Sequence, residues 1–235
     1  MNLIIIIFHR FKNIKFKYFI NFFYKFIMNN KFNFIHPTKT GGTSVEKFFN
    51  ENYFDYINGG QGHAIRCGNN NKPIIIIRDP FSRFVSMFMY WKYGATKGLF
   101  VRNEEFINKH KNISIIEFMN YIKNNNEELK TLFTWDIHFG KLIDWINNTD
   151  YKNIIVIKYE KDLNNSLQKL INKLNIPNKN ISLQKDNESK KNNNDLNIIN
   201  ANKQLINNFL NIHYKEDVEL YNKVINRPDL FKMVV

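Results

Sequence analysis

The chain of 235 residues carries 34 Lys and Arg against 21 Asp and Glu, a net charge of +13. That length suits one α/β domain with a substantial core and is short for two. The charge points to an anionic partner, whether nucleic acid, an acidic membrane or a phosphorylated or sulfated small molecule, without choosing among them. One cysteine, Cys67, excludes an internal disulfide and a cysteine-based zinc cluster, and neither redox chemistry nor a metal is expected.

Residues 1–27 hold no Asp, Glu, Gly, Ala, Pro, Ser, Thr or Val. Their apolar stretches are interrupted by Arg10, Lys12, Lys15, Lys17 and Lys25, too often for the run of about 20 apolar residues that spans a bilayer. The charges follow the first apolar stretch and no small-residue cleavage site ends it, so the segment does not read as a signal peptide. A basic, aromatic helix lying on a membrane surface is one reading. The preferred expectation is an extension outside the fold, with a single domain over 28–235. Removing these five cations leaves 13 − 5 = +8 on the remainder, which is still basic.

Chain order beyond this point alternates strand and helix. Residues 32–36 form a short apolar run ending at Pro37, as a buried strand does, and a Gly-containing turn over 38–43 leads to a helix over 44–50 with Ser44 near its N-cap. The four isoleucines 74–77 suit a central parallel strand buried on both faces. Pro80 occupies a position that the first helical turn tolerates, with the helix continuing over 81–93. Helices are expected at 114–123 and 140–147, a third strand at 153–159, an amphipathic helix at 162–174, a solvated loop at 185–194 and closing helices from about 198 to 225. The Asn runs at 69–71, 124–126 and 192–194 read as loop padding. This order predicts an open, mainly parallel sheet flanked by helices.

Ligands of such sheets bind beyond the carboxyl ends of the strands, where two turns stand out. In His36-Pro-Thr-Lys-Thr-Gly-Gly-Thr-Ser44, the amides of Gly41, Gly42 and Thr43 can converge on an anion at a positive helix end. The hydroxyls of Thr40, Thr43 and Ser44 add donors and Lys39 adds a cation. The lysine precedes the glycines, whereas GxxxxGK[ST] places it after them, which counts against a phosphate-loop kinase or NTPase. The second turn is Arg78-Asp-Pro-Phe-Ser-Arg-Phe-Val-Ser86. Arg83, Ser86 and Tyr90 share one helix face by spacing, and an Arg and a Ser converging on one point suit a phosphate dianion.

Together the turns resemble the two cofactor-binding signatures of the PAPS-dependent sulfotransferases, with Thr38 where that family usually has Pro. Gly62-His63, Asp136-Ile-His-Phe139 and the 154–160 strand ending Tyr-Glu are similar to segments of its carbohydrate 2-O-sulfotransferase branch, and the 213–221 tail is similar to the family's C-terminal Tyr/Asp-containing helix. The resemblance implies a phosphate-loop-like α/β fold and transfer of sulfate from 3′-phosphoadenosine 5′-phosphosulfate (PAPS) to a carbohydrate hydroxyl. It places Lys39, Thr40, Gly41, Gly42, Thr43 and Ser44 around the 5′-phosphosulfate. Arg78 and Ser86 fall at the 3′-phosphate, with Arg83 a weaker, more structural candidate.

His63 is the expected base, since a neutral imidazole can take the acceptor proton near neutral pH, and Lys39 the group that assists departure. Glu46 is the second candidate base, although helical spacing after Ser44 favours a first-turn or capping-box role. His36 is expected to pack or hydrogen-bond under the loop, and His138 ranks below His63. Trp91, Trp135 and Trp145 either stack on a sugar or fill the core. A basic nucleic-acid-binding protein is the remaining alternative, disfavoured because the charge is not gathered into a recognition element.

Overall fold

The computed structural model describes residues 31–60, 63, 66–68, 72–94, 104–124, 139–159, 162–184 and 192–235. The expectations for 1–27, Gly62, Trp135, Asp136, His138, Glu160 and 185–191 lie outside the described residues.

Strand β1 (Phe32–Ile35) leads into α1 (Gly42–Asn52), and a two-residue strand β2 (Ile57–Asn58) follows. Then come β3 (Lys72–Ile77), α2 (Pro80–Tyr93), α3 (Glu104–His110), α4 (Ile115–Lys123) and the single turn α5 (Ile143–Ile146). Strand β4 (Ile155–Lys158), α6 (Leu163–Lys173), α7 (Asn193–Ala201), α8 (Lys203–His213), α9 (Lys215–Asn226) and β5 (Met233–Val234) complete the order. The five strands form one all-parallel sheet in the order β2-β1-β3-β4-β5. The chain leaves β1 toward β2 on one side and later runs from β3 to β5 on the other. The carboxyl ends of β1 and β3 therefore flank the point where a ligand crevice opens in such sheets.

The continuous isoleucine strand is explained by burial on both faces. Phe34, Ile74, Ile76, Ile155 and Ile157 pack with residues of α1 and α6. Their alternates Ile35, Ile75, Ile77, Ile154 and Val156 pack with Trp145 of α5 and with Leu220 and Val224 of α9. Each fully buried side chain of this kind contributes about 1.5–3 kcal/mol. A third cluster, built on Phe84, Phe88 and Trp91 of α2, joins α4, α7 and α8. Among the described residues no helix is long and apolar enough to cross a membrane.

Several boundaries differ from expectation. Helix α1 starts at Gly42, not near Ser44, because Gly41 adopts a left-handed φ of 82° and turns the chain into the helix. The helix expected at 140–147 shrinks to α5, since Asn147 and Asn148 take φ of 49° and 58° and end it. Asn193 and Asn194, expected in a loop, open α7, with the Asn192 side chain accepting from the amide of Asp195. The closing helical region is broken at Asn202 and Tyr214 into α7, α8 and α9. Helix α4 begins as its sequence predicts, with Ser114 and Glu117 forming a reciprocal capping box.

Candidate active site

The turn over 37–41 follows β1, and Arg78 follows β3; the two strands are hydrogen-bonded neighbours. Arg78 Nη1 donates to the Lys39 carbonyl oxygen at 3.1 Å, so the two predicted anion turns are one structure. Gly41 and Gly42 are demanded by close contacts as well as by the turn. A Cβ on Gly41 would enter the Tyr159 ring, and one on Gly42 would enter the Cβ and ring of His36. The first-turn amides of α1 therefore sit at a wall of bare backbone facing the end of the sheet. Thr43 is exposed there, while Ser44 is buried within the first turn. Thr40 is fully buried and its hydroxyl donates to the Pro37 carbonyl at 2.7 Å, which holds the turn's shape from beneath.

The cations of the site are crowded. Lys39 has φ 60° and its Nζ lies 3.6 Å from the centroid of the Tyr90 ring. Burial, together with the neighbouring Arg78 charge, lowers the Lys39 pKa to about 7. The Arg78 guanidinium lies 4.7 Å from the Tyr159 ring centroid. Burial lowers the Arg78 pKa, while Tyr159 and Asp79 oppose the shift. An arginine nonetheless stays cationic. Arg78 Nε is buried and makes no hydrogen bond among the described residues. An anion entering here meets an unsatisfied donor and relieves the repulsion between Lys39 and Arg78.

His63 reaches the same place from the other side. Its Nδ1 lies 3.1 Å from the His36 carbonyl oxygen, and an acceptor at that position requires the proton on Nδ1. Burial lowers the His63 pKa, helped by Lys39 and Arg66 and opposed by the bond to His36. The ring is therefore neutral near pH 7, and Nε2 is its basic nitrogen. His36 is buried beneath the turn as expected, its ring centroid 4.4 Å from that of His63. Burial, with His63 as the second cause, drives its pKa down to about 3. Glu46 stands in the second turn of α1, 3.1 Å from His36 Nδ1, so it plays no capping-box role with Ser44.

Of the three residues predicted to share one face of α2, Arg83 and Tyr90 reach the loop, with different tasks. Tyr90 supports Lys39. Arg83, only 2% exposed, donates from Nε to the Thr38 carbonyl, from Nη1 to Asp217 Oδ2 and from Nη2 to the Gly140 carbonyl, at 3.1, 3.1 and 2.8 Å. Its charge is thus engaged by protein groups. Ser86 is partly buried on the same helix. Trp91 and Trp145 are core residues at 0% and 1% exposure, which removes them as platforms for a sugar. Among the described residues no group of three or more His, Cys, Asp or Glu is placed to hold a metal ion.

The profile of the sulfotransferase family matches residues 16–223. The chain belongs to the sulfotransferase family. The match covers both anion turns and every candidate residue above, and it begins inside the segment set apart by composition. No curated protein and no solved structure matches the chain significantly. In this sulfotransferase, sequence reasoning passed over Asp217 as the partner of Arg83, and over Arg66 and Tyr159 as site neighbours. Tyr159 carried a signal, since it directly follows a strand at the ligand edge of the sheet. Asp217 lay in the 213–221 segment already set apart, but nothing in the sequence paired it with Arg83, 134 positions away.

Proposed function

We propose that this sulfotransferase moves the sulfuryl group of PAPS to an acceptor hydroxyl, and that the acceptor is a carbohydrate. One observation carries the reading. The Lys39 turn and Arg78 are joined by a hydrogen bond at the ends of two adjacent strands, with an unsatisfied buried guanidinium nitrogen and a glycine-bare helix start beside them. A nucleotide phosphorylated at both ends suits two anion grips of this kind. The carbohydrate acceptor rests on the likeness of the Gly62-His63 and third-strand segments to the 2-O branch.

When bound, the co-substrate supplies a sulfuryl group whose bond to the phosphate oxygen breaks as the acceptor oxygen takes it. The residues hold and neutralise; positioning and electrostatic stabilisation carry the rate, as in phosphoryl transfer. Lys39, the amides of Gly42 and Thr43 and the Thr43 hydroxyl hold the 5′ end. Protonated Lys39 opposes the negative charge that grows on the departing phosphate. Arg78, with Ser86, holds the 3′-phosphate through its donor fork. Thr40, Ser44 and Arg83 maintain the turn, Arg83 through the Thr38 carbonyl. His63 Nε2 receives the acceptor hydroxyl proton.

Turnover of labelled PAPS and calorimetry with 3′-phosphoadenosine 5′-phosphate (PAP), ATP and an oligonucleotide test this reading. Lys39→Ala is expected to lower kcat by roughly a hundredfold or more. Arg78→Ala is expected to weaken PAP binding by roughly tenfold to a hundredfold, in keeping with loss of a charge-assisted pair. His63→Ala is expected to lower kcat by about 10²–10⁴ with PAP affinity near that of the parent. Equal loss of PAP affinity in all three would remove the division of roles, and tight binding of the oligonucleotide alone would overturn the enzymatic reading.

A further inference from the structure

A base must be aimed as well as basic, and the structure shows what aims His63. Its side chain is fixed by the Nδ1 bond to the His36 carbonyl. Its backbone is fixed by a second set of contacts, made by Arg66 within the segment and by α5 and the turn after it. Trp145 Nε1 donates to the His63 carbonyl oxygen at 3.0 Å, and Arg66 Nη1 donates to the same oxygen. The Arg66 guanidinium lies over the Trp145 ring at 4.3 Å. The amide of Cys67 donates to the Trp145 carbonyl at 2.8 Å, and Asn147 Nδ2 donates to the Cys67 carbonyl at 3.3 Å. The described part of the 63–67 segment is therefore fastened to one short turn at several points.

That turn is held in its own place by Asp217, the partner of the arginine that anchors the loop. The amides of Leu142 and Ile143 donate to Asp217 Oδ2 and Oδ1 at 2.8 and 3.0 Å. Asp217 pairs with Arg83, and Arg83 holds the Thr38 carbonyl. Thr38 lies two residues beyond His36, whose carbonyl receives His63. The hydrogen bonds thus form a closed circuit from the phosphate loop through Arg83, Asp217, α5, Trp145 and His63 back to the start of the same loop.

We propose that Trp145 is a positioning residue for the transfer reaction. Its indole N–H, assisted by Arg66, holds the His63 backbone so that Nε2 faces the acceptor while Nδ1 keeps its proton on the His36 carbonyl. A buried indole needs a partner for its N–H, and here that partner is the carbonyl of the base itself. A ring fastened at one end only can rotate, and misplacement of a reacting group by about 1 Å costs on the order of a hundredfold in rate. The inference rests on the reading of His63 as the base.

The test is Trp145→Phe, which keeps an aromatic ring in the core and removes the N–H. Expected are a fall in kcat of roughly tenfold to a hundredfold, PAP affinity within about twofold of the parent, and a changed ¹⁵N signature of His63. In the parent enzyme Nδ1 gives the protonated-type and Nε2 the unprotonated-type resonance, and in the variant the two move toward an averaged pair. A merely structural tryptophan would lower the melting temperature and leave kcat and the tautomer signature, measured below that temperature, unchanged; that result overturns the inference. A fall in kcat matched by an equal fall in PAP affinity overturns it as well. If Trp145→Phe does not fold, Arg66→Met at its half-buried position removes the second donor to the same carbonyl. A lowered kcat with unchanged PAP affinity then supports the inference, and parental kcat overturns it. His63→Ala separates the two claims. Parental kcat in that variant removes the base itself, whereas a large loss there beside parental kcat in Trp145→Phe removes only the positioning role.

Discussion

With His63 as the proposed base and Lys39 as the proposed cation, two side chains with opposite requirements would set the pH range of the reaction. Burial lowers the His63 pKa from 6.5, so the basic form accumulates as pH rises through a value below 6.5. Burial also lowers the Lys39 pKa to about 7, so its cationic form is lost as pH rises past neutrality. The free enzyme therefore holds both groups in their working states over a narrow interval. The expected kcat/KM profile is a bell, with its acid limb below pH 6.5 and its alkaline limb near 7, since this ratio reports the free enzyme. The alkaline limb of kcat is expected at higher pH, because a bound anion favours protonated Lys39. Lys39→Arg is expected to remove the alkaline limb, since guanidinium does not titrate in this range. A limb near pH 7 that survives in Lys39→Arg would assign it to another group. The chemical identities of these residues were legible in the sequence. Their shifted pKa values were not, because the shifts arise from burial beneath residues distant in the chain.

At the scale of elements, the sequence showed the strands and helices that carry strong periodicity or a firm cap. The Ile74–Ile77 run, Pro80 at the start of α2 and the Ser114–Glu117 box each declare themselves within a few residues. The elements that escaped are those whose existence depends on tertiary partners. Strands β2 and β5 have two residues each and are defined by pairing with β1 and β4. Helix α5 is a single turn whose first amides are satisfied by Asp217 on another helix. The turn after β1 was recognisable by its glycines, yet the reason for both had to come from the structure. Gly42→Ala is expected to destabilise the protein by about 1–3 kcal/mol in urea unfolding, the range for overpacking a tight interior, because His36 Cβ and its ring block the new methyl group. PAP affinity is expected to fall with it, since His36 supports the turn. An alanine variant of unchanged stability and affinity would show that the turn can shift without loss.

For the whole molecule, the open, parallel α/β class followed from the alternation of elements, while the strand order and the connection between the sheet and the C-terminal helices did not. Beside the apolar packing of Leu220 and Val224 against the sheet, that connection has an electrostatic part. Burial raises the Asp217 pKa, and Arg83 with the amides of Leu142 and Ile143 pull it back. A second buried pair, Lys92 with Asp195, ties α2 to α7, Nζ lying 2.9 Å from Oδ2. Removing one partner of such a pair leaves an uncompensated buried charge and costs about 3–5 kcal/mol. Asp217→Asn is accordingly expected to lose about 3 kcal/mol or more in urea unfolding at pH 7. PAP is also expected to bind more weakly, because Arg83 anchors the loop at Thr38. Parental affinity in a folded Asp217→Asn protein would uncouple the loop from the pair. The span of this contact, 134 positions, has a consequence in time. On the ribosome Arg83 and the loop emerge well before Asp217, so for most of synthesis the nascent chain carries a guanidinium destined for the interior without its carboxylate. The Arg83 charge can meet Asp217 only after α9 has been synthesised. A prematurely terminated chain that stops short of residue 217 would hold both signature motifs and still lack the carboxylate that neutralises the buried Arg83.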